Sequence, residues 1–155
     1  MLSTVVEVPA VVCAGLVAGA LLGDRVAASQ ARARLEAASF VTFMQTWHRH
    51  FVRFVGRLML IGLVAGSAWL VLAWPHGSGM QRALIAASVA GLVVVAGITA
   101  TVNVPINGQL MTWDAAAPPA NLAARWAPWE RAHTARALVA TAVLVLDAVA
   151  LGLYP

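Results

Sequence analysis

Four apolar runs, at residues 4–23, 58–74, 82–101 and 137–153, carry no more than one charge each. A helix rises about 1.5 Å per residue, so about twenty such residues cross the hydrocarbon core of a bilayer, about 30 Å thick. In lipid no water satisfies backbone N–H and C=O groups, and a lone segment meets that demand only as a helix. Composition agrees, with 61% hydrophobic and 10% charged residues, where a soluble domain carries about 25% charged. Too little polar surface remains to face water all round. The expected fold is all-α, an integral membrane four-helix bundle forming one domain over residues 1–155, in a cytoplasmic membrane of bacterial type.

Every basic residue is arginine, and the formal net charge is +4. In a soluble chain that charge would suggest nucleic acid; here it is read as membrane flanks, with no nucleic-acid partner. Arg25, Arg32, Arg34, Arg49, Arg53 and Arg57 flank the first connection, and Arg125, Arg131 and Arg136 the third. Only Arg82 lies beside the second. The positive-inside rule then places both termini on the outer side and the arginine-rich connections in the cytoplasm.

The first run lacks the basic start of a cleaved leader and is read as a retained helix. Gly15, Gly19 and Gly23 stand four apart, a small-residue face for close helix approach within the bundle or in a homo-oligomer. Cys13 is the only cysteine, which excludes an intrachain disulfide or a CxxC site. Residues 25–57 are polar but contain no helix breaker, so the second helix is expected to be long. The fourth is expected to start near Pro128, with Pro128 ending a brief helix at residues 123–126.

Asn103, Pro105 and Asn107 mark the end of the third run. The two amides share a helix face, and Pro105 crowds the carbonyl of Thr101, which predicts a kink or a helix end. His48, His50, Asn103, Asn107, Glu130, His133 and Arg136 fall at one level, where a bundle gathers them into a vestibule. Glu130 and His133 have Glu-x-x-His spacing, but the further acids of a di-iron site are missing. A single copper or iron ion on His133 with His48, His50 and Glu130 is one reading, and no metal is another. Lipid-interface histidines, an interhelical bond from His133 to an asparagine, and a histidine base remain alternatives. Trp113, Trp126 and Trp129 read as an interfacial aromatic belt or as walls of a flat pocket. Arg136 either snorkels to headgroups or holds an anionic substrate. Glu7 and Asp147 either pair or reach the outer interface.

The series Asn103–Val104–Pro105–Ile106–Asn107, then Trp113, then Trp126, Trp129, Arg131, His133 and Arg136 resembles the anthrone oxygenase-like family of small four-helix membrane proteins. The likeness is close over the last third of the chain and loose elsewhere. It implies oxidation of anthrones to anthraquinones and a site of Asn103, Asn107, Trp129, His133 and Arg136. It says little about His48 and His50 and leaves the cofactor open. The expectation is a membrane oxidoreductase of monooxygenase type, acting on a lipophilic, anthrone-like aromatic substrate in a cytoplasmic-side pocket. Its catalytic group would be His133, Asn103, Asn107 and Arg136, with Trp113, Trp126 and Trp129 against the substrate. The alternative is a non-catalytic accessory protein whose Asn/His motif locks the third helix to the fourth. A small transporter ranks third, because no broken helix pair marks a midplane site.

Overall fold

The computed structural model describes residues 4–153. They form four helices long and apolar enough to cross a membrane: α1 (Val5–Arg32), α2 (Ala37–Ala73), α3 (Gly79–Leu110) and α4 (Leu122–Gly152). No strand occurs among the described residues. The helices close a ring in which α1 packs on α2 and α4, and α3 packs on α2 and α4. The extreme terminal residues lie outside the described residues.

Three layers fill the ring. Trp69, Ile85 and Ala150 meet near the Arg82 end, and Leu21, Val55, Val95 and Ala140 meet in the middle. Phe40, Met44, Leu110, Trp113, Trp126 and Trp129 fill the arginine-rich end. The outer faces are equally apolar, with Val71 70% and Leu138 65% exposed. An apolar exterior around a packed interior suits lipid as solvent.

Two helices contain a π-helical turn, at Asp24–Ala28 in α1 and at Thr99–Asn103 in α3. The second follows from Pro105, which has no N–H to offer Thr101. The N–H of Val104 instead reaches the carbonyl of Thr99, one residue further back than in an α-helix. The expected kink or end thus becomes a widened turn, and α3 continues to Leu110.

Three expectations are corrected. The second helix is long, as expected, and residues 37–57 form its polar foot, but residues 25–32 belong to the first helix. The first helix runs on to Arg32, where Arg32 is anchored by Asp24 and Glu130, and the chain turns before α2 starts at Ala37. No residue there breaks a helix; a tertiary anchor overrides local propensity. Pro128 does not interrupt α4 either. It costs one backbone bond, while Trp126 and Trp129 on either side are held in the aromatic layer.

The third concerns Gly15, Gly19 and Gly23. A Cβ at Gly15 would make ordinary contact with Leu144 at 3.6 Å, and at Gly19 or Gly23 it would meet nothing within 4 Å. The close approaches lie elsewhere: a Cβ at Gly62 would stand 3.2 Å from Cys13 Cβ, and at Gly91 2.6 Å from Val143 Cγ2.

Candidate functional site

The polar residues of the arginine-rich end are organised around α4. Trp126, Trp129 and His133 recur at helical spacing, so their side chains rise along one face. Their rings stack, with centroids 4.5 Å apart for Trp126–Trp129 and 4.8 Å for Trp129–His133. Trp113, Trp126 and Trp129 are all buried. They wall the interior and form no interfacial belt, because α1, α2 and the end of α3 cover the face that carries them.

His133 is fully buried. Its Nδ1 lies 3.0 Å from Arg136 Nη2, and its Nε2 lies 3.0 Å from Asp24 Oδ2. Guanidinium nitrogens only donate, so Nδ1 is the acceptor and the ring proton is assigned to Nε2, facing the carboxylate. The Nε2 contact is poorly aligned for a hydrogen bond, so its attraction is chiefly electrostatic.

Asp24 takes a two-pronged interaction from Arg32, at 2.7 and 2.9 Å. Arg32 also reaches Glu130 at 3.2 Å. Glu130 accepts in addition from Ser29 Oγ at 2.8 Å and Trp126 Nε1 at 3.0 Å. A continuous chain therefore runs Glu130, Arg32, Asp24, His133, Arg136. It ties α1 to α4, assisted by Arg25 Nε donating to Thr134 Oγ1 at 2.7 Å.

The amides tie α3 to the same wall. Trp129 Nε1 donates to Asn107 Oδ1 at 2.9 Å, and Asn103 Nδ2 donates to the Trp129 carbonyl at 3.4 Å. Arg136 Nη1 donates to Thr99 Oγ1 at 3.1 Å. Four atoms here stay without a hydrogen-bond partner: Asn103 Oδ1, His133 Nε2, Arg136 Nε and Arg32 Nε. A buried polar group left unpaired costs about 1–3 kcal/mol, so such atoms suit a ligand.

A cavity of about 80 Å³ lies between this wall and α2, bordered by Thr99, Asn107, Trp129 and Arg136 on one side and Trp47, His48 and Phe51 on the other. His133 stands behind Arg136 and does not border it. A separate cavity of about 590 Å³ lies on the far side of Trp126, between the end of α1 and the loop at Pro118 and Pro119.

The residues read as metal ligands do not converge. His48 borders the small cavity, and His50 lies in an open aromatic groove with Phe43 and Phe54. His133 Nδ1 is taken by a guanidinium that would repel a cation, and Nε2 faces only Asp24, which is already held by Arg32. Glu130 is occupied by Ser29, Arg32 and Trp126. Among the described residues no three His, Cys, Asp or Glu side chains are grouped to hold a metal ion. A copper or iron ion does not fit this donor set.

Asp24, Arg32, Ser29 and Thr99 were not singled out from the sequence. Residues eight apart differ by about 80° on a regular helix. The π turn adds one residue to a turn, which brings Asp24 and Arg32 to within about 20° of one face. At the opposite end of the bundle Glu7 and Asp147 are both buried, so the interface reading fails there too. Each keeps one carboxyl oxygen without a bonding partner.

Comparison with known proteins gives a match to one family model, described as anthrone oxygenase, over residues 43–146. No curated protein and no solved structure matches. The matched region contains both amides, the tryptophan wall, His133 and Arg136; α1, with Asp24 and Arg32, lies outside it. From the second helix through most of the fourth, the chain belongs to the anthrone oxygenase family.

Proposed function

We propose that the protein is a membrane-embedded oxygenase that oxidises a lipophilic aromatic ketone of anthrone type at the cavity beside Arg136, on the cytoplasmic side of the membrane. The observation that carries this reading is Arg136 itself. It is buried and borders a cavity, its Nε is unpartnered, and no carboxylate among the described residues bonds it. A buried cation without a direct counter-charge suits an anion that forms there.

An anthrone carries a CH₂ group across the central ring from its carbonyl. Loss of one CH₂ proton gives an aromatic anion whose charge rests mainly on oxygen. His48 is the imidazole that borders the cavity, and it takes the proton. The Arg136 guanidinium holds the developing oxyanion. Asn107 spends its Oδ1 on Trp129, which leaves its NH₂ group to orient the substrate. The anion is the reductant for dioxygen. Overall R₂CH₂ + O₂ gives R₂C=O + H₂O, with one oxygen atom in the new carbonyl and the other in water. His133 positions Arg136 from behind and is not itself the base.

The cavity of about 80 Å³ holds dioxygen and the reacting edge of a substrate, not three fused rings. Entry of the ring system requires Trp47 and Phe51 to swing aside. The test is oxygen uptake and quinone absorbance for the full chain in lipid nanodiscs supplied with anthrone. Arg136→Gln should remain folded and lose about 10²–10³-fold in rate, as removal of an oxyanion donor does elsewhere. Wild-type rates in that variant would overturn the assignment of Arg136. The accessory-protein reading keeps one support, the Asn103 and Asn107 bonds that lock α3 to α4. Absence of turnover by the wild-type protein would favour it.

A further inference from the structure

The small cavity beside Arg136 is not sealed. Val52 and Gly56 of α2 and Val104 of α3 border it and are also exposed on the outside of the bundle. Val52 is 42% and Val104 52% exposed. Residues that both line a cavity and reach the surface mark its mouth, which therefore lies in the gap between α2 and α3. Gly56 stands two residues before the apolar run of α2, and Val104 three residues past that of α3. At 1.5 Å rise per residue the mouth is within about 3–5 Å of the span ends, at the edge of the hydrocarbon layer.

Two local features open this gap. Gly56 puts no side chain into it, and a Cβ built there would meet nothing within 4 Å. On α3, Thr99 and Val104 stand five residues apart, which on a regular helix turns them about 140° from each other. The π turn at Thr99–Asn103 absorbs one residue and brings them to within about 40°, so both border the cavity. Val52, Met59 and Val104 offer water no hydrogen bond, and stripping water of its partners is costly. A small apolar molecule meets no such cost. Dioxygen is one, and it dissolves better in hydrocarbon than in water, so the bilayer is its reservoir. Trp47 and Phe51 stand at another border, between the cavity and the aromatic groove outside α2.

We propose that dioxygen enters the small cavity from the hydrocarbon layer through the gap at Gly56, apart from the route past Trp47 and Phe51 that a larger molecule needs. Gly56 and Val104 are then the residues that set oxygen access. That the gas is consumed inside rests on the oxygenase reading above, while the port rests on the gap between the helices.

The test uses the full chain in nanodiscs, and its first measurement needs no turnover. Dioxygen is paramagnetic and speeds the NMR relaxation of methyl groups that it reaches. Met44 is 1% exposed and borders the cavity, so its labelled methyl reports gas inside, with Met80, 65% exposed at the other end, as reference. Gly56→Leu fills the gap without striking the core and should cut the oxygen effect at Met44 severalfold. Val104→Phe, from the other side of the mouth, should act in the same direction. Gly97 is also exposed with room for a Cβ but does not border the cavity, so Gly97→Leu should leave the effect unchanged. The second measurement is the oxygen dependence of anthrone oxidation. Gly56→Leu should lower kcat/KM for dioxygen about tenfold and keep kcat at saturating oxygen. An oxygen effect at Met44 that is absent in the wild type, or unchanged in both Gly56→Leu and Val104→Phe, would overturn the port. So would a fall in kcat with KM for dioxygen unchanged. Loss of the Met44 effect in Gly56→Leu, alongside no turnover by the wild type, would leave the port and remove the reaction.

Discussion

Arg136 Nη2 lies 3.0 Å from His133 Nδ1, and that contact fixes what the buried histidine does. An imidazole facing a guanidinium must offer its lone pair, so its proton points to Asp24 on the other side. His133 thus stands between the carboxylate of α1 and the cation bordering the cavity.

His133→Gln should therefore keep a folded protein, because the amide oxygen can accept from Arg136 and the amide nitrogen can face Asp24. Turnover should fall by about 10–100-fold, as loss of a supporting partner does at other built sites. The change should be mainly in kcat, since Arg136 still meets the substrate but is less well placed. Anthrone oxidation rates with a thermal-unfolding control measure it, and activity equal to wild type would count against the positioning role.

The Asp24–Arg32 pair should matter more for folding than either residue suggests alone. Asp24→Asn leaves the Arg32 guanidinium buried without its two-pronged partner. Breaking one side of a buried pair costs about 3–5 kcal/mol. Replacing both, as in Asp24→Leu with Arg32→Met, should recover much of that loss. Unfolding curves in detergent for the two single variants and the double variant test this, and equal stability of Asp24→Asn and wild type would refute it.

Asn107→Leu removes the acceptor for the Trp129 indole. The N–H has no other partner in the structure, and the loss should be about 1–3 kcal/mol. Asn107→Asp keeps an acceptor oxygen and should lose less. A reversed order in thermal stability would show that the Trp129 bond does not hold α3 to α4.

Glycine substitutions should separate by position. Gly91→Ala places a methyl 2.6 Å from Val143 Cγ2, and overpacking of this kind costs about 1–3 kcal/mol. Gly19 lies on the outer face with nothing within 4 Å of an added Cβ, so the isolated Gly19→Leu chain should retain its stability. Any effect at Gly19 should appear in oligomer size, read by light scattering of the detergent complex. A Gly19→Leu chain that unfolds as a monomer would contradict the packing described.

The arginine distribution predicts that reporter fusions at the chain end read as outer-side and fusions in the loop at residues 114–120 read as cytoplasmic. The opposite readings would invert the topology.

The sequence by itself determined the number of membrane-length helices, because the bilayer imposes one length and one periodicity on any apolar run. It also marked the end of the bundle where polar residues gather, and Pro105 marked the place where helical bonding must change. It did not determine how α3 meets that demand, since a kink, an end and a π turn all answer a missing N–H. Only the tertiary structure decided that Asp24 and Arg32 join the site: a widened turn brings them onto one face, and Glu130 from α4 supplies the anchor. It likewise turned His50 and the Gly19 face outward, buried the three tryptophans, and placed His133 behind Arg136. These outcomes depend on which helix faces pack together, and residue spacing within one helix carries no information about the face of another.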